Sequence, residues 1–151
     1  MKISKSALED IRAHGAEGYP HEICGIMLGP PKGDLVTEVR RAGNIIGQPR
    51  SRWSFTTDRT VDRYEMDPLD QIRVDREARL IGLDTVGYYH SHPDHPAKAS
   101  IFDAEQSYAG YVYVIVSVEK GSPVDTNAFV TEKDHGPFRP EPLEVVETKT
   151  V

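Results

Sequence analysis

The chain has 151 residues, which is enough for one domain with its own hydrophobic core and without disulfides or a structural metal. Its formal net charge is −6, and its Lys and Arg residues are scattered rather than clustered, which argues against a nucleic-acid partner. The sequence has one cysteine, no secretory signal and no apolar run near the roughly 20 residues that span a bilayer, so we expect a cytoplasmic protein without a membrane partner.

The first predicted element is an amphipathic helix over residues 4–17. Leu8 and Ile11 fall on one face of this helix, and Ser4 or Ser6 can cap its first turn. We expect the helix to end at the glycine and proline residues Gly15, Gly18 and Pro20.

The next two segments predict a β-hairpin. Residues 23–28 are apolar and residues 35–41 alternate in polarity, as two paired strands would. Gly29-Pro30-Pro31 lies between them and is typical of a turn. We therefore expect the two segments to pair as antiparallel strands.

Residues 43–66 are polar and irregular, yet they carry aromatic side chains that a purely solvated linker would not need. These are Trp53, Phe55 and Tyr64. We predict a long functional loop with a strand near Trp53, and we expect its aromatic residues to form a wall against a bound substrate.

Asp67-Pro68 marks the start of a second helix, because an acidic N-cap precedes a proline at the first helical position. We predict this helix over residues 68–81. Its large apolar residues occur among alternating charges and are predicted to share one face: Leu69, Ile72, Leu80 and Leu83.

The second half of the chain predicts strands with one short helix between them. The strands are predicted over residues 85–91, 111–118 and 124–131, and the helix over residues 100–107. The sequence has no internal repeat and no change of composition. We predict a single α/β domain over residues 1–134 and an extended tail over residues 135–151.

Three histidines and two aspartates lie in the 14 positions from His90 to Asp103. His90 and His92 are two apart at the end of an apolar strand, so both imidazoles project to the same side. Prolines then end the strand, and Ser100 and Asp103 share one face of the following helix, which can bring a carboxylate back to the histidines. Two imidazoles and one carboxylate leave the fourth position of a tetrahedral zinc ion for water, as in a catalytic site.

The same side chains also fit purely structural roles. A histidine pair on a strand can belong to the core or the surface, and Ser100 with Asp103 also fits a helix capping box. His95 is either a further ligand or a turn residue facing solvent, and Cys24 is either a nucleophile or a small buried strand residue. The remaining histidines have no spacing that links them to the cluster, and we expect them at the surface: His14, His21 and His135.

The segment His90-Ser91-His92, followed after seven residues by Ser100 and three positions later by Asp103, resembles the signature of the JAMM (MPN-plus, Mov34/MPN/PAD-type) zinc metallopeptidases. The proline after the second histidine is part of the match. That family also has a glutamate just before an apolar strand with Cys-Gly, and Glu22-Ile23-Cys24-Gly25 is similar to it. The resemblance covers about residues 3–131 and is strongest to short prokaryotic members with a single domain.

The resemblance implies an MPN-like fold, with a curved, mostly antiparallel sheet flanked by helices as in cytidine deaminases. It implies one catalytic Zn²⁺ per chain, held by His90, His92 and Asp103. It also implies that Glu22 is the general acid and base, and that the Ser100 hydroxyl supports the tetrahedral intermediate. The expected reaction is hydrolysis of a peptide or isopeptide bond after the C-terminal Gly-Gly of a ubiquitin-like protein, in this chain a sulfur carrier.

Three other functions are consistent with the same residues. The first is a non-catalytic MPN scaffold that recruits partners, and the second is a hydrolase that uses Cys24 and a histidine. The third is a hydrolase of small amides that uses the same zinc site. All five residues of the resemblance are present, which argues against the scaffold: Glu22, His90, His92, Ser100 and Asp103.

Overall fold

The computed structural model describes residues 1–31, 34–53 and 59–147. In chain order its elements are β1 (Lys2–Ser4), α1 (Lys5–Gly18), β2 (Cys24–Gly29), β3 (Leu35–Val36), β4 (Glu38–Ala42), α2 (Pro68–Leu80), β5 (Asp84–Pro93), α3 (Ile101–Glu105), β6 (Val112–Glu119), β7 (Ser122–Thr131), β8 (Phe138–Glu141) and β9 (Glu144–Val146). None of the helices in the described part of the chain is long and apolar enough to cross a membrane.

Six strands form the main sheet, in the order β4-β2-β5-β6-β7-β8. All neighbours in it are antiparallel except β5 and β6, which run parallel and are joined by a crossover that contains α3. A second, parallel sheet has the order β3-β1-β9. The predicted α/β fold with a mostly antiparallel sheet is therefore confirmed.

Helix α1 packs on the main sheet and shares its larger hydrophobic core. Ile3 and Ile11 are fully buried in one cluster with Val116 of β6. The predicted cap is present, because Ser4 Oγ accepts a hydrogen bond from Ala7 N at 3.1 Å. The N-terminal residues thus fix α1 against the main sheet.

Gly15 lies inside α1 and not at its end, which corrects the predicted boundary. A Cβ atom at this position would lie 3.0 Å from Val118 Cγ2 on β6. The missing side chain therefore lets the helix approach the sheet closely. The helix continues to Gly18.

The predicted hairpin is present, but its second strand begins later than expected. β2 pairs with β4, with Cys24 opposite Ala42 and Leu28 opposite Glu38. β3, which was predicted as part of the same strand, pairs instead with β1 in the second sheet. The chain therefore passes from one sheet to the other at Thr37.

Helix α2 begins after the Asp67 cap as predicted, but it buries a different face. Val74 and Ala78 are its buried residues, and their small side chains let the helix pack closely on β2 and β5. The sequence prediction placed the face with the largest apolar residues against the sheet. The close packing of the helix instead requires small residues on that face. Three of the four residues predicted to share the buried face are exposed by 61%, 58% and 82%: Leu69, Ile72 and Leu80. The fourth, Leu83, lies beyond the end of α2 and packs against the smaller core.

Two elements around the histidines differ in length from the prediction. β5 extends two residues beyond its predicted end, and His92 and Pro93 remain paired with Ser117 and Val118 of β6. α3 spans five residues, with Ser100 as its N-cap. The second histidine is therefore held in the sheet and does not lie in the loop.

The loop between β4 and α2 has no strand at Trp53, so that prediction is wrong for the described residues. Its continuation over residues 54–58, which includes Phe55, lies outside them. After Asp134 the described chain forms two further paired strands. β8 joins the main sheet beside β7, and β9 joins β1 in the second sheet.

Candidate metal centre

His90 and His92 project from the end of β5 to the same side of the sheet and meet Asp103 from α3. The two Nε2 atoms lie 3.2 Å apart. Asp103 Oδ1 lies 3.1 Å from His90 Nε2, and Asp103 Oδ2 lies 3.0 Å from His92 Nε2. All three residues are buried, and their donor atoms lie within 4.8 Å of one another. The three predicted donors are thus brought together where one metal ion could contact all of them.

Asp103 reaches the histidines because the first turn of α3 is capped. Ser100 Oγ accepts a hydrogen bond from Asp103 N at 3.0 Å, and Ser100 N donates to Asp103 Oδ2 at 2.9 Å. These two bonds form the capping box that the sequence allowed. Capping and donor clustering are therefore not alternatives, since the cap directs the carboxylate toward the histidines.

His92 is held in place by a second hydrogen bond. Its Nδ1 lies 2.9 Å from the Pro96 carbonyl oxygen, which can only accept. Nδ1 therefore carries a proton, which leaves Nε2 as the nitrogen that a metal ion could bind. The loop after β5 thus selects the tautomer that binds metals.

Charge in the cluster is set by burial and by close contact. Burial lowers the pKa of His90, which favours the neutral imidazole. Burial also acts to raise the pKa of Asp103, but His90 and His92 outweigh it and hold that pKa well below its usual range. Burial also acts to lower the pKa of His92, but the contact with Asp103 outweighs it and raises that pKa. The cluster therefore combines one neutral imidazole, His90, with an ionised carboxylate, and His92 would give up its added proton when a metal ion binds.

Glu22 is buried just before β2, with 6% of its surface exposed. Its Oε1 atom has no hydrogen-bond partner among the described residues. Burial raises the pKa of Glu22 to about 8, opposed by His92 and supported by Asp103. The residue therefore lies within electrostatic reach of the cluster, with a carboxyl group free to exchange a proton.

Three backbone contacts hold the Glu22 segment. Glu22 N donates to the Thr60 carbonyl at 2.6 Å, and the Glu22 carbonyl accepts from Asn44 Nδ2 at 3.1 Å. Ile23 N donates to Ser91 Oγ at 2.9 Å. Because Ser91 lies between the two histidines of β5, this last bond ties the glutamate to the histidine strand.

Sequence reasoning gave Asn44 and Ser91 no role. Asn44 also donates to the Arg63 carbonyl at 3.1 Å and accepts from Glu65 N at 3.0 Å, so it joins both ends of the long loop. A polar residue in a polar loop carries no sequence signal of such contacts. Ser91 had one usable signal, because in a strand its side chain must point away from both flanking histidines.

Tyr64 and Trp53 of the loop flank the site. The Tyr64 ring stacks on His90, with centroids 4.3 Å apart and planes at 23°. Trp53 packs edge-on against Phe102 of α3 at 5.2 Å. On the side of Tyr64 and α3, five tyrosines and several charged side chains line a cavity of about 720 Å³. The loop aromatics therefore contact the elements that carry the donors.

The other candidates lie outside the cluster. His95 is exposed. Cys24 is fully buried, and burial raises the pKa of its thiol far above the usual range, so it fits the predicted small core residue and not a nucleophile. His14 was predicted at the surface and is buried, since α1 turns it inward to contact the Tyr89 hydroxyl at 2.8 Å. The other two predicted surface histidines are exposed: His21 and His135.

An α/β domain whose strand end carries a buried cluster of two imidazoles and a carboxylate, close to a buried glutamate, has the site of a metallohydrolase. The sequence model of one family, described as prokaryotic homologs of the JAB domain, matches residues 4–131. The chain belongs to this family. Membership and the intact donor cluster make it a hydrolase of the JAMM type.

Individual proteins agree with this placement. The desampylase of Haloferax volcanii is 31% identical over 122 residues, which cover 78% of this chain and 80% of that protein. The ubiquitin carboxyl-terminal hydrolase RPN11 of Saccharomyces cerevisiae is 29% identical over 91 residues, which are 60% of this chain and only 28% of that protein. A Salinibacter ruber protein known from its solution structure is 38% identical with a TM-score of 0.71, covering 100% of this chain and 95% of that one.

Proposed function

We propose that the protein is a zinc-dependent hydrolase. Its substrate would be a ubiquitin-like protein, in which it hydrolyses the peptide or isopeptide bond that follows the C-terminal Gly-Gly. His90, His92 and Asp103 would hold one Zn²⁺ per chain. Glu22 would move the proton, and Ser100 would donate a hydrogen bond to the reacting oxygen. The observation that carries the proposal is the buried donor cluster close to the buried Glu22 carboxyl group, one oxygen of which has no hydrogen-bond partner in the described part of the chain.

The three donors fit zinc on chemical grounds. Two imidazole nitrogens and one carboxylate oxygen are typical zinc ligands, and a catalytic site leaves a further position open. The hydrogen bond from His92 to Pro96 supplies the outer contact that ligating histidines usually have. When bound, zinc would act as a Lewis acid on a carbonyl oxygen and make water acidic enough to react near neutral pH.

Glu22 has the environment of a general acid and base. Hydrolysis of an amide needs a group that takes a proton from water and returns it to the leaving nitrogen. The buried Glu22 carboxyl can accept and hold that proton, because no hydrogen bond ties its Oε1 atom within the described residues. The contacts to Thr60, Asn44 and Ser91 keep its backbone fixed beside the cluster.

Ser100 can donate a hydrogen bond while it serves as a cap. Its Oγ accepts from Asp103 N, which leaves the hydroxyl proton free to point elsewhere. Ser100 is exposed at the N-terminus of α3, next to the carboxylate of the cluster. A donor in this position would stabilise the negative charge that develops on the carbonyl oxygen during hydrolysis.

The substrate class is supported by the relatives and by the form of the site. One relative is named a desampylase and another a ubiquitin carboxyl-terminal hydrolase. An extended Gly-Gly tail can reach a buried cluster that wider residues cannot approach. Trp53 and Tyr64 would form one wall of this approach. The cytoplasm, where the single buried thiol stays reduced, is the compartment we propose.

Cleavage of a defined carrier tests the proposal. The substrate is a ubiquitin-like sulfur-carrier protein whose C-terminal Gly-Gly is followed by a short peptide, and intact mass locates the cut. We expect cleavage directly after Gly-Gly, loss of cleavage on chelation, recovery with zinc, and no effect of thiol alkylation. A matched carrier that ends in Ala-Ala before the extension should not be cut.

Each contrary result has a definite meaning. Zinc binding without cleavage of any carrier would contradict the proposed substrate and favour a scaffold. Equal cleavage of the Ala-Ala carrier or of small amides would contradict Gly-Gly recognition. Cleavage that survives chelation but not alkylation would move the chemistry to Cys24.

A further inference from the structure

His90 and His92 differ in what holds the side of the ring away from the cluster. His92 Nδ1 is hydrogen-bonded to the Pro96 carbonyl at 2.9 Å. His90 Nδ1 is buried and has no hydrogen-bond partner among the described residues. Ligating histidines almost always have such a partner, because it fixes the orientation of the ring. Something else must therefore orient His90.

Tyr64 is the residue whose ring stacks on the His90 imidazole and can fix its orientation. The two rings are nearly parallel, at 23°, with centroids 4.3 Å apart. A flat ring against one face prevents the imidazole from rotating out of its plane while leaving the ring edge free. That edge carries Nε2, which lies 3.1 Å from Asp103 Oδ1.

Tyr64 is itself held in place. Its side chain is 5% exposed and packs with Met66 and Val74 in the smaller hydrophobic core. Its backbone carbonyl accepts a hydrogen bond from Gln106 Nε2 at 2.9 Å, directly after α3. The backbone of Tyr64 is therefore anchored at the C-terminal end of the helix that carries Asp103, which links the position of the ring on His90 to that of the carboxylate.

We propose that Tyr64 is a positioning residue of the metal centre, which orients His90 by stacking where His92 is oriented by a hydrogen bond. The inference rests on the proposed function, because it takes His90 as a metal ligand. In this proposal the face of the Tyr64 ring orients His90. The contact with His90 is made by the ring, so removal of the Tyr64 hydroxyl should have no effect on metal binding.

Three variants of the full chain test this role: Tyr64→Leu, Tyr64→Phe and Tyr88→Leu. Tyr88 is the matched control, because it packs against the same smaller core while its ring contacts those of Tyr111 and Tyr113. Zinc affinity is measured by competition with a chromophoric chelator, and circular dichroism checks the fold. We expect Tyr64→Leu to bind zinc about 10 to 100 times more weakly than wild type, as for other losses of an outer contact. We expect Tyr64→Phe and Tyr88→Leu to bind like wild type.

The outcomes separate this inference from the function on which it rests. Failure of the wild type to bind zinc would contradict the proposed function itself. Wild-type affinity in a folded Tyr64→Leu variant would overturn the positioning role, and so would equal weakening in Tyr88→Leu or in Tyr64→Phe. If Tyr64→Leu does not fold, Tyr64→Met fills the space with an unbranched chain and is subject to the same criteria.

Discussion

Two buried glutamates in this molecule differ in the hydrogen bonding of their carboxyl groups. Glu65 is 4% exposed and accepts hydrogen bonds from Ser51 Oγ at 2.5 Å and from Arg52 Nε at 3.1 Å. Glu22 is 6% exposed, and its Oε1 atom has no partner within the described residues. The two carboxyl groups are thus similarly buried but differ in their contacts, since that of Glu65 is hydrogen-bonded to the loop and that of Glu22 has one oxygen without a partner among the described residues.

The difference separates a structural group from a reactive one. A buried acceptor without a partner costs about 1–3 kcal/mol of folding stability, and more when it is charged. Glu65 avoids this cost through its hydrogen bonds. Glu22 carries it, and its position close to the donor cluster gives the reason, because a carboxylate that moves protons must not be fully hydrogen-bonded.

The largest expected effect, on zinc binding and hydrolysis, comes from removing a donor of the cluster beside Glu22. His92→Ala or Asp103→Ala should lose both bound zinc and hydrolysis, because two donors cannot hold the ion as three do. Metal content is measured by plasma mass spectrometry on purified protein. His95→Ala is the matched control, since His95 is an exposed histidine of the same segment. Zinc retained in Asp103→Ala would contradict the ligand set.

The comparison itself is tested by changing both glutamates to glutamine. Glu22→Gln should keep zinc and the unfolding temperature and lose about 10²- to 10⁴-fold in kcat, the usual value of general acid–base catalysis. Glu65→Gln should keep kcat and lose about 1–2 kcal/mol of stability, because it weakens the bond to Arg52. Full activity in Glu22→Gln would contradict the role of Glu22 as the general acid and base.

Ser100 sharpens the comparison, because it combines a structural bond with the proposed chemistry. Ser100→Ala should lose about 1 kcal/mol as an N-cap, whereas Ser100→Gly should lose only a few tenths. Both should lose about 10²- to 10³-fold in kcat if the hydroxyl supports the reacting oxygen. Chemical denaturation and initial rates provide the two measurements. Activity that follows stability across the pair would leave Ser100 as a cap alone.

The smallest expected effect is on the pH dependence of stability and involves His14, away from the cluster. Burial lowers the pKa of His14 from 6.5 to about 4, so the unfolded chain binds a proton that the folded one does not. Metal-free protein should therefore lose stability on the order of 2 kcal/mol through this group as pH falls from 6.5 to 4. His14→Gln should show a shallower decline, measured by urea unfolding across this range. Parallel curves would exclude His14 as the cause.

Local periodicity predicted much of the fold and the convergence of the donors. Two-residue spacing on a strand and three-residue spacing at a capped helix place His90, His92 and Asp103 on facing surfaces. Their role as ligands stays a prediction. The strand pairing of β2 with β4 followed from alternation and a proline-rich turn.

Contacts between distant segments were not predictable in this way. Nothing near Asn44 in the sequence indicates that it bonds the Glu22 carbonyl, and nothing near Tyr64 indicates that it stacks on His90. The buried face of α2 was missed for a related reason. Val74 and Ala78 are small, and only the approach of the sheet shows that their side of the helix is the inner one.

The central claim is that two imidazoles and one carboxylate, without the thiol, bind zinc. X-ray absorption at the zinc edge of the purified wild-type protein tests it directly. The expected result is a shell of nitrogen and oxygen ligands at about 2.0–2.2 Å with the outer-shell signature of two imidazoles. A sulfur ligand at about 2.3 Å, or a shell with fewer than two imidazoles, would contradict the assignment of His90, His92 and Asp103.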